Sequence, residues 1–267
     1  MHIPAPQWGL DPTQQLVAGV IFAVALAAAL VYAARVARQE RAPYPLYVML
    51  CAGLVAFGEP FVDVLGHCAF PEQGATPWIH AFDRVVGIYM APVYFFYFGT
   101  FFLVTMRKIA AGVTTKGWWR WYGGMVALAL AFEPIPINIG WWTYYGDNQP
   151  LMFFGLPIWW AFANTGGALV AGAILHMLLS RRILTGAGTL AIIPLAPVIF
   201  MGAHTMMAFP LYVALNSSDS LVVTNLAQLA TIAVSLAGVW ISGRLVAADA
   251  PRLVPDRGEA PEAKVSA

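Results

Sequence analysis

Seven stretches of this chain are each long and apolar enough to cross a lipid bilayer, and that succession restricts the fold more than any other feature. About 30 Å of hydrocarbon calls for roughly 20 helical residues. The stretches are Leu16–Ala37, Pro45–Leu65, Val85–Met106, Trp121–Gly140, Met152–Leu179, Thr189–Leu215 and Leu221–Val246. Helices are expected because lipid offers the backbone no hydrogen-bond partners, and the alternating ten-residue pattern of a membrane barrel is absent. Only 10% of the residues are charged and 60% are hydrophobic, too little polar surface for a water-facing sphere. The reading is an all-α polytopic membrane protein, a single seven-transmembrane-helix bundle over residues 1–248. A net charge of +1 gives no footprint for a nucleic-acid partner.

Basic residues orient the bundle, since cytoplasmic loops carry the lysine and arginine excess. Thirteen of the 14 basic residues follow the first, third, fifth and seventh spans, leaving only Arg84 on the other side. That places the N-terminus outside and the C-terminus in the cytoplasm of a multi-pass cell-membrane protein. No basic region precedes the first span and Arg35 and Arg38 close it, so a cleavable signal peptide is not expected. The segment 249–267, rich in Pro, Ala and charge, reads as a disordered cytoplasmic tail. Cys51 and Cys68, near opposite ends of one span, are too far apart along a helix to bridge.

An ionisable residue inside a span is costly and therefore a functional candidate. The second span carries Glu59, Asp63 and His67, spaced i, i+4, i+8 on one helix face. Glu133, His176 and His204 lie in the fourth, fifth and sixth spans, with Asp83 and Arg84 at the outer mouth of the third. By helix rise Glu59 sits about 12 Å below the outer end of its span, and Glu133 lies at a similar depth. Asn164, Asn225 and Gln228 add polar groups, so the outer half is polar and the inner half nearly bare apart from His176. Glu59-Pro60 and Glu133-Pro134 each put proline directly after the acid, which predicts kinks that free the carbonyls of Ala56 and Leu130. Aromatic residues crowd Tyr89–Phe98, Trp141–Tyr145 and Trp159–Trp160. An interfacial belt accounts for such residues, and so does an aromatic lid over a cationic intermediate beside Asp147.

Several chemistries are excluded or lack support in the sequence. Retinal needs a lysine within a span, but Lys108, Lys116 and Lys264 are all cytoplasmic. Five histidines are too few for a membrane di-iron site, and no CxxCH or second histidine pair supports haem. Walker A, G-x-S-x-G and HExxH motifs are absent. Zinc held by His67, Asp63 and Glu59 lacks a fourth ligand. What remains is cofactor-free, metal-free acid–base chemistry. A carboxyl held away from water keeps its proton more readily and can act as general acid while an ionised neighbour acts as base.

The run Gly58-Glu59-Pro60-Phe61-Val62-Asp63-Val64-Leu65-Gly66-His67-Cys68-Ala69-Phe70-Pro71-Glu72 resembles the second-span signature of the AveC-like spirocyclase family. Trp142-Thr143-Tyr144-Tyr145-Gly146-Asp147-Asn148-Gln149-Pro150-Leu151 is similar to that family as well, as are Gly155–Trp160 and Asn164. The likeness runs from roughly the second to the sixth span. It implies a membrane enzyme that closes a spiroketal and can dehydrate it, with Glu59, Asp63 and Asp147 at matching polar positions.

The expected function is an intramembrane cyclase or dehydratase acting on a lipophilic small molecule from the bilayer. Glu59 or Asp63 would protonate the substrate, and Asp63, Glu133 or Asp147 would take up a proton. His67 and His204 would orient these acids. Tyr94, Trp142, Tyr145, Trp160, Asn164 and Asn225 would shape the substrate pocket around an oxocarbenium or carbocation. A membrane-bound terpene cyclase is the alternative within enzymes. A proton-coupled carrier or lipid-binding protein is the alternative outside them, and it requires polar groups in both halves of the bundle.

Overall fold

The computed structural model describes residues 9–248, so the expected tail at 249–267 lies outside the described residues. The chain is mostly helical, and among the described residues six helices are long and apolar enough to cross a membrane.

Helix α1 (Pro12–Glu40) begins with the Asp11 carboxylate accepting from the Thr13 amide at 2.7 Å, and Pro12 opens its first turn. It ends at Arg41, whose positive φ terminates it. Leu16, Val20, Ile21 and Val24 are exposed, while Ala18, Ala29, Ala33 and Val36 are buried. An apolar helix so exposed is stable only where its surroundings are apolar too. The small alanines let it lie against its neighbours, α2 (Tyr44–Leu54) and α4 (Ala91–Ala110).

The second span is not one continuous α-helix. α2 stops at Leu54, a 3-10 turn covers Val55–Gly58, and α3 runs from Glu59 to Gly66. Pro60 has no N–H to give, as expected. The Ala56 carbonyl is not left free, however, because the Glu59 amide takes it in the tighter i to i−3 pattern. The fourth span is likewise divided at the proline: α5 (Thr115–Phe132) is followed by the short α6 (Pro134–Asn138), with Glu133 at the joint. α7 (Ile158–Ser180), α8 (Ile192–Ser217) and α9 (Leu221–Ala248) complete the helices.

The bundle centres on α2, α4, α7 and α8, with α9 against α7 and α8 and with α5 resting mainly on α7. Close packing depends on small residues. A side chain at Gly167 of α7 would meet the backbone of His204 in α8 at 3.0 Å. The buried face of α9 carries Thr224, Thr231, Ser235 and Ser242, a small polar stripe not anticipated from the sequence. Its hydroxyls are satisfied locally: Ser235 donates to the Thr231 carbonyl at 2.8 Å, and the Thr231 hydroxyl accepts from the Leu211 amide at 3.2 Å.

At the end of the bundle opposite most of the basic residues, three short antiparallel pairs correct the all-α expectation. β2 (Pro77–Ala81) and β3 (Arg84–Gly87) form a hairpin, so the third helical span starts at Ile88 rather than Val85. β5 (Met152–Phe153) and β6 (Leu156–Pro157) form another, so the fifth starts at Ile158 rather than Met152. β1 (Cys68–Ala69) pairs with β4 (Thr143–Tyr144) and ties the segment after α3 to the segment after α6. Amide side chains clamp this cap onto the helices. Asn148 donates to the Leu215 and Ser218 carbonyls at 3.0 and 2.9 Å, and Gln149 donates to the Gly66 carbonyl at 3.0 Å.

Candidate functional site

Beneath the cap a cavity of about 100 Å³ lies between α3, α4, α7 and α8, closed by β4 and by the α5–α6 joint. Two carboxyls line it. A 3-10 turn advances about 120° per residue, against 100° in an α-helix. The four residues Val55–Gly58 therefore rotate the face of α3 relative to α2 and turn Glu59 and Val62 toward the cavity. Glu133 arrives from the opposite wall because the break before Pro134 leaves it at a joint, its amide bonded to the Ala129 carbonyl at 2.9 Å. Both residues are half-buried. The two acids sense each other electrostatically, Tyr94 stands beside Glu59, and Tyr97 faces Glu133.

The remaining walls are aromatic and apolar. Tyr94, Tyr97 and Phe98 come from α4, Trp142 and Tyr144 from the cap, Trp160 from α7 and Phe200 from α8. Trp160 meets Tyr144 and His204 edge-on, with ring centroids at 5.8 and 5.1 Å. His204 is fixed by its Nε2, 2.9 Å from the Tyr212 hydroxyl. Asn164, 6% exposed, adds an amide to the wall. Such a chamber can deliver a proton, take one back and surround a cation with ring faces, each worth about 0.5–2 kcal/mol.

Of the residues singled out from the sequence, Glu59, Glu133, His204, Tyr94, Trp142, Trp160 and Asn164 line this one cavity. Asp63 does not. It is fully buried one turn further along α3, where neither carboxyl oxygen has a conventional hydrogen bond. Asp63 lies instead beside the Cys68 thiol and within the field of Arg84. His67 ends α3 with φ 54°, and its ring stacks on Tyr145 at 5.2 Å, away from the cavity. Asp147 is exposed on the cap and joins neither acid, because the turn after β4 carries it outward. Asn225 has a structural role, accepting from the Leu151 amide at 3.2 Å and donating to the Leu221 carbonyl at 2.7 Å. Glu59, Asp63 and His67 are therefore not grouped around a common point, and among the described residues no set of three His, Cys, Asp or Glu side chains is arranged to hold a metal ion.

Tyr97 and Tyr144 fall within the aromatic runs noted in the sequence but were not singled out as pocket residues, although Tyr97, three residues after Tyr94, shares its helix face; Tyr212 carried no such signal. Arg84 had a signal as the single basic residue on its side. It is 3% exposed, and its guanidinium donates to the Cys68 carbonyl at 3.2 Å and to the Tyr145 hydroxyl. Burial pushes the Cys68 thiol and the Tyr144 and Tyr145 hydroxyls up, which keeps them protonated, and pushes the His67 imidazole down, which keeps it neutral. No protein-family model, curated protein or solved structure matches this chain.

Proposed function

We propose that this chain is a multi-pass protein of the cell membrane that works as an acid–base cyclase or dehydratase of the AveC-like spirocyclase type on a lipophilic substrate. In this reading α5 and α6 together make the seventh crossing, and the arginine-rich end faces the cytoplasm. The observation that supports it is the convergence of Glu59 and Glu133, from separate segments, on one aromatic cavity. Its position toward the cap end favours an enzyme over a carrier, which would need polar groups along a path through the bundle.

Glu59 in its acid form either protonates the hydroxyl of a hemiketal, which leaves as water when its C–O bond breaks, or adds its proton to the β-carbon of an enol ether; each step leaves Glu59 ionised. The resulting oxocarbenium ion lies among the faces of Tyr94, Trp142 and Trp160. A second substrate hydroxyl attacks it, forming the new C–O bond, and gives its proton to ionised Glu133. Loss of a neighbouring C–H proton to Glu133 gives the dehydrated product instead. Release of the proton from Glu133 and reprotonation of Glu59 restore the starting state. A substrate larger than the cavity displaces Met201, a flexible side chain on its wall beside Gly58.

The test is turnover of a dihydroxy-ketone by the protein in nanodiscs, with a polyprenyl substrate assayed in parallel. Glu59→Gln and Glu133→Gln are each expected to lower turnover by about 10²–10⁴-fold, the contribution of a positioned proton-transfer group. Full turnover in both variants refutes the assignment. Cyclisation of the polyprenyl substrate alone would shift it to terpene chemistry.

A further inference from the structure

Asp63 shares a face of α3 with Glu59, and His67 follows as the left-handed cap of that helix, yet neither Asp63 nor His67 reaches the cavity. We propose that these three side chains form a proton ladder, in which Asp63 and His67 carry protons between Glu59 and the water at the cap end. The inference rests on Glu59 being the acid of the reaction above, and it adds how that acid is reloaded.

Glu59 and Asp63 are one helical turn apart, about 5–6 Å between Cβ atoms, a gap that a side-chain rotation or one bridging water spans, and the His67 amide donates to the Asp63 carbonyl, which keeps the third rung next to the second. Glu59 opens the ladder in the cavity, Asp63 is sealed from solvent, and His67 sits at the end of α3, 8% exposed beneath the cap. An aspartate locked in an ion pair would hold its charge and carry nothing. Asp63 is not so held: among the described residues no carboxylate pairs directly with Arg84, whose guanidinium is committed to the Cys68 carbonyl, the Asp83 carbonyl and the Tyr145 hydroxyl. Arg84 still acts on Asp63 through space, which tempers the cost of a buried negative charge while the proton is in transit. The other groups facing Asp63 are the Cys68 thiol from β1 and the Tyr94, Tyr144 and Tyr212 hydroxyls from α4, β4 and α8. At the outer rung the Asn216 amide stands beside the His67 ring and Arg84 acts on it through space, while neither ring nitrogen has a conventional hydrogen bond, so the one without a proton can take one. In reloading, Asp63 gives its proton to the Glu59 carboxylate and receives one from the His67 imidazolium, which is recharged from water. No bond other than those to protons changes.

Infrared spectroscopy reads this without turnover. In Glu133→Gln protein in nanodiscs, at a pH acid enough to protonate Glu59, the carboxylic C=O band lost on adding Glu59→Gln belongs to Glu59. After a step from H2O to D2O, the shift of that band times proton exchange at Glu59. Adding Asp63→Asn, or separately His67→Gln, should slow the exchange by about 10²-fold, the low side of what a positioned proton-transfer group contributes. The parent rate in either variant overturns the ladder. His67→Gln, at the edge of the cap, keeps the test decisive should Asp63→Asn fail to fold. Slowed exchange with no cyclised product from the unsubstituted protein would support the ladder while refuting the cyclase.

Discussion

Replacing Gly167 by alanine tests the closest helix–helix approach behind the cavity. A methyl group there would lie 3.0 Å from the backbone nitrogen and Cβ of His204 and 3.1 Å from its Cα. Optimal contact between such atoms is about 3.5–4.0 Å, so roughly 0.5–1 Å of overlap falls on backbone that cannot rotate away. Relief requires α7 and α8 to separate, at an overpacking cost of about 1–3 kcal/mol. Against this, alanine is the better helix former by about 0.5–1 kcal/mol. Gly202 of α8 isolates that second effect, because a side chain there meets nothing within 4 Å. Gly202→Ala should therefore be neutral or slightly stabilising, and Gly167→Ala should fall below it by the strain alone, about 1–3 kcal/mol. Reversible unfolding in mixed micelles with a denaturing detergent measures both. Equal stability of the two variants, within about 0.5 kcal/mol, would show that α7 and α8 are not in contact at His204 and would remove the wall on which the cavity argument relies.

The β2–β3 hairpin turns through Phe82 and Asp83, at φ 52° and 53°, a left-handed geometry that costs a side-chain-bearing residue about 1–2 kcal/mol. Phe82→Asn with Asp83→Gly should increase amide-exchange protection at His80 and Val85; a decrease would mean that the contact of Phe82 with Phe61 outweighs the backbone strain. The folded His67 imidazole is held below its ordinary value of 6.5, chiefly by burial. Its unfolded form therefore binds protons first as pH falls, so its contribution to stability is complete above about 6.5 and is lost as pH drops below that value. Tm in nanodiscs should fall more steeply for the unsubstituted protein than for His67→Gln over that range, and parallel curves would contradict the burial of the ring.

The helices were legible because their signals are local: an apolar run, a flanking arginine and a proline each act within a few residues. The start of α7 was misjudged for a local reason too, since Met152–Pro157 is apolar enough to pass for helix until Phe154 and Gly155, both at positive φ, turn it into a hairpin. The grouping of Glu59 with Glu133 followed from depth alone, because helix rise converts residue number into height above the membrane plane. Height does not fix direction around the helix axis. The i, i+4, i+8 spacing grouped Asp63 and His67 with Glu59, but which of them reaches the cavity depends on the 3-10 turn and on the neighbours that α3 meets.

From the amino-acid order alone come the helices long and apolar enough to cross a membrane, the asymmetry of basic charge between the two ends, and the presence of carboxyls inside apolar stretches. The cap is a product of tertiary structure. Its pairing of Cys68–Ala69 with Thr143–Tyr144 joins segments separated by two helices, and two-residue strands carry no pattern of their own. That pairing places Trp142 and Tyr144 over the acids and leaves Asp147 in the open. Periodicity determines which face a side chain shares with its neighbours on one helix; only the packing of separate elements decides what that face encloses.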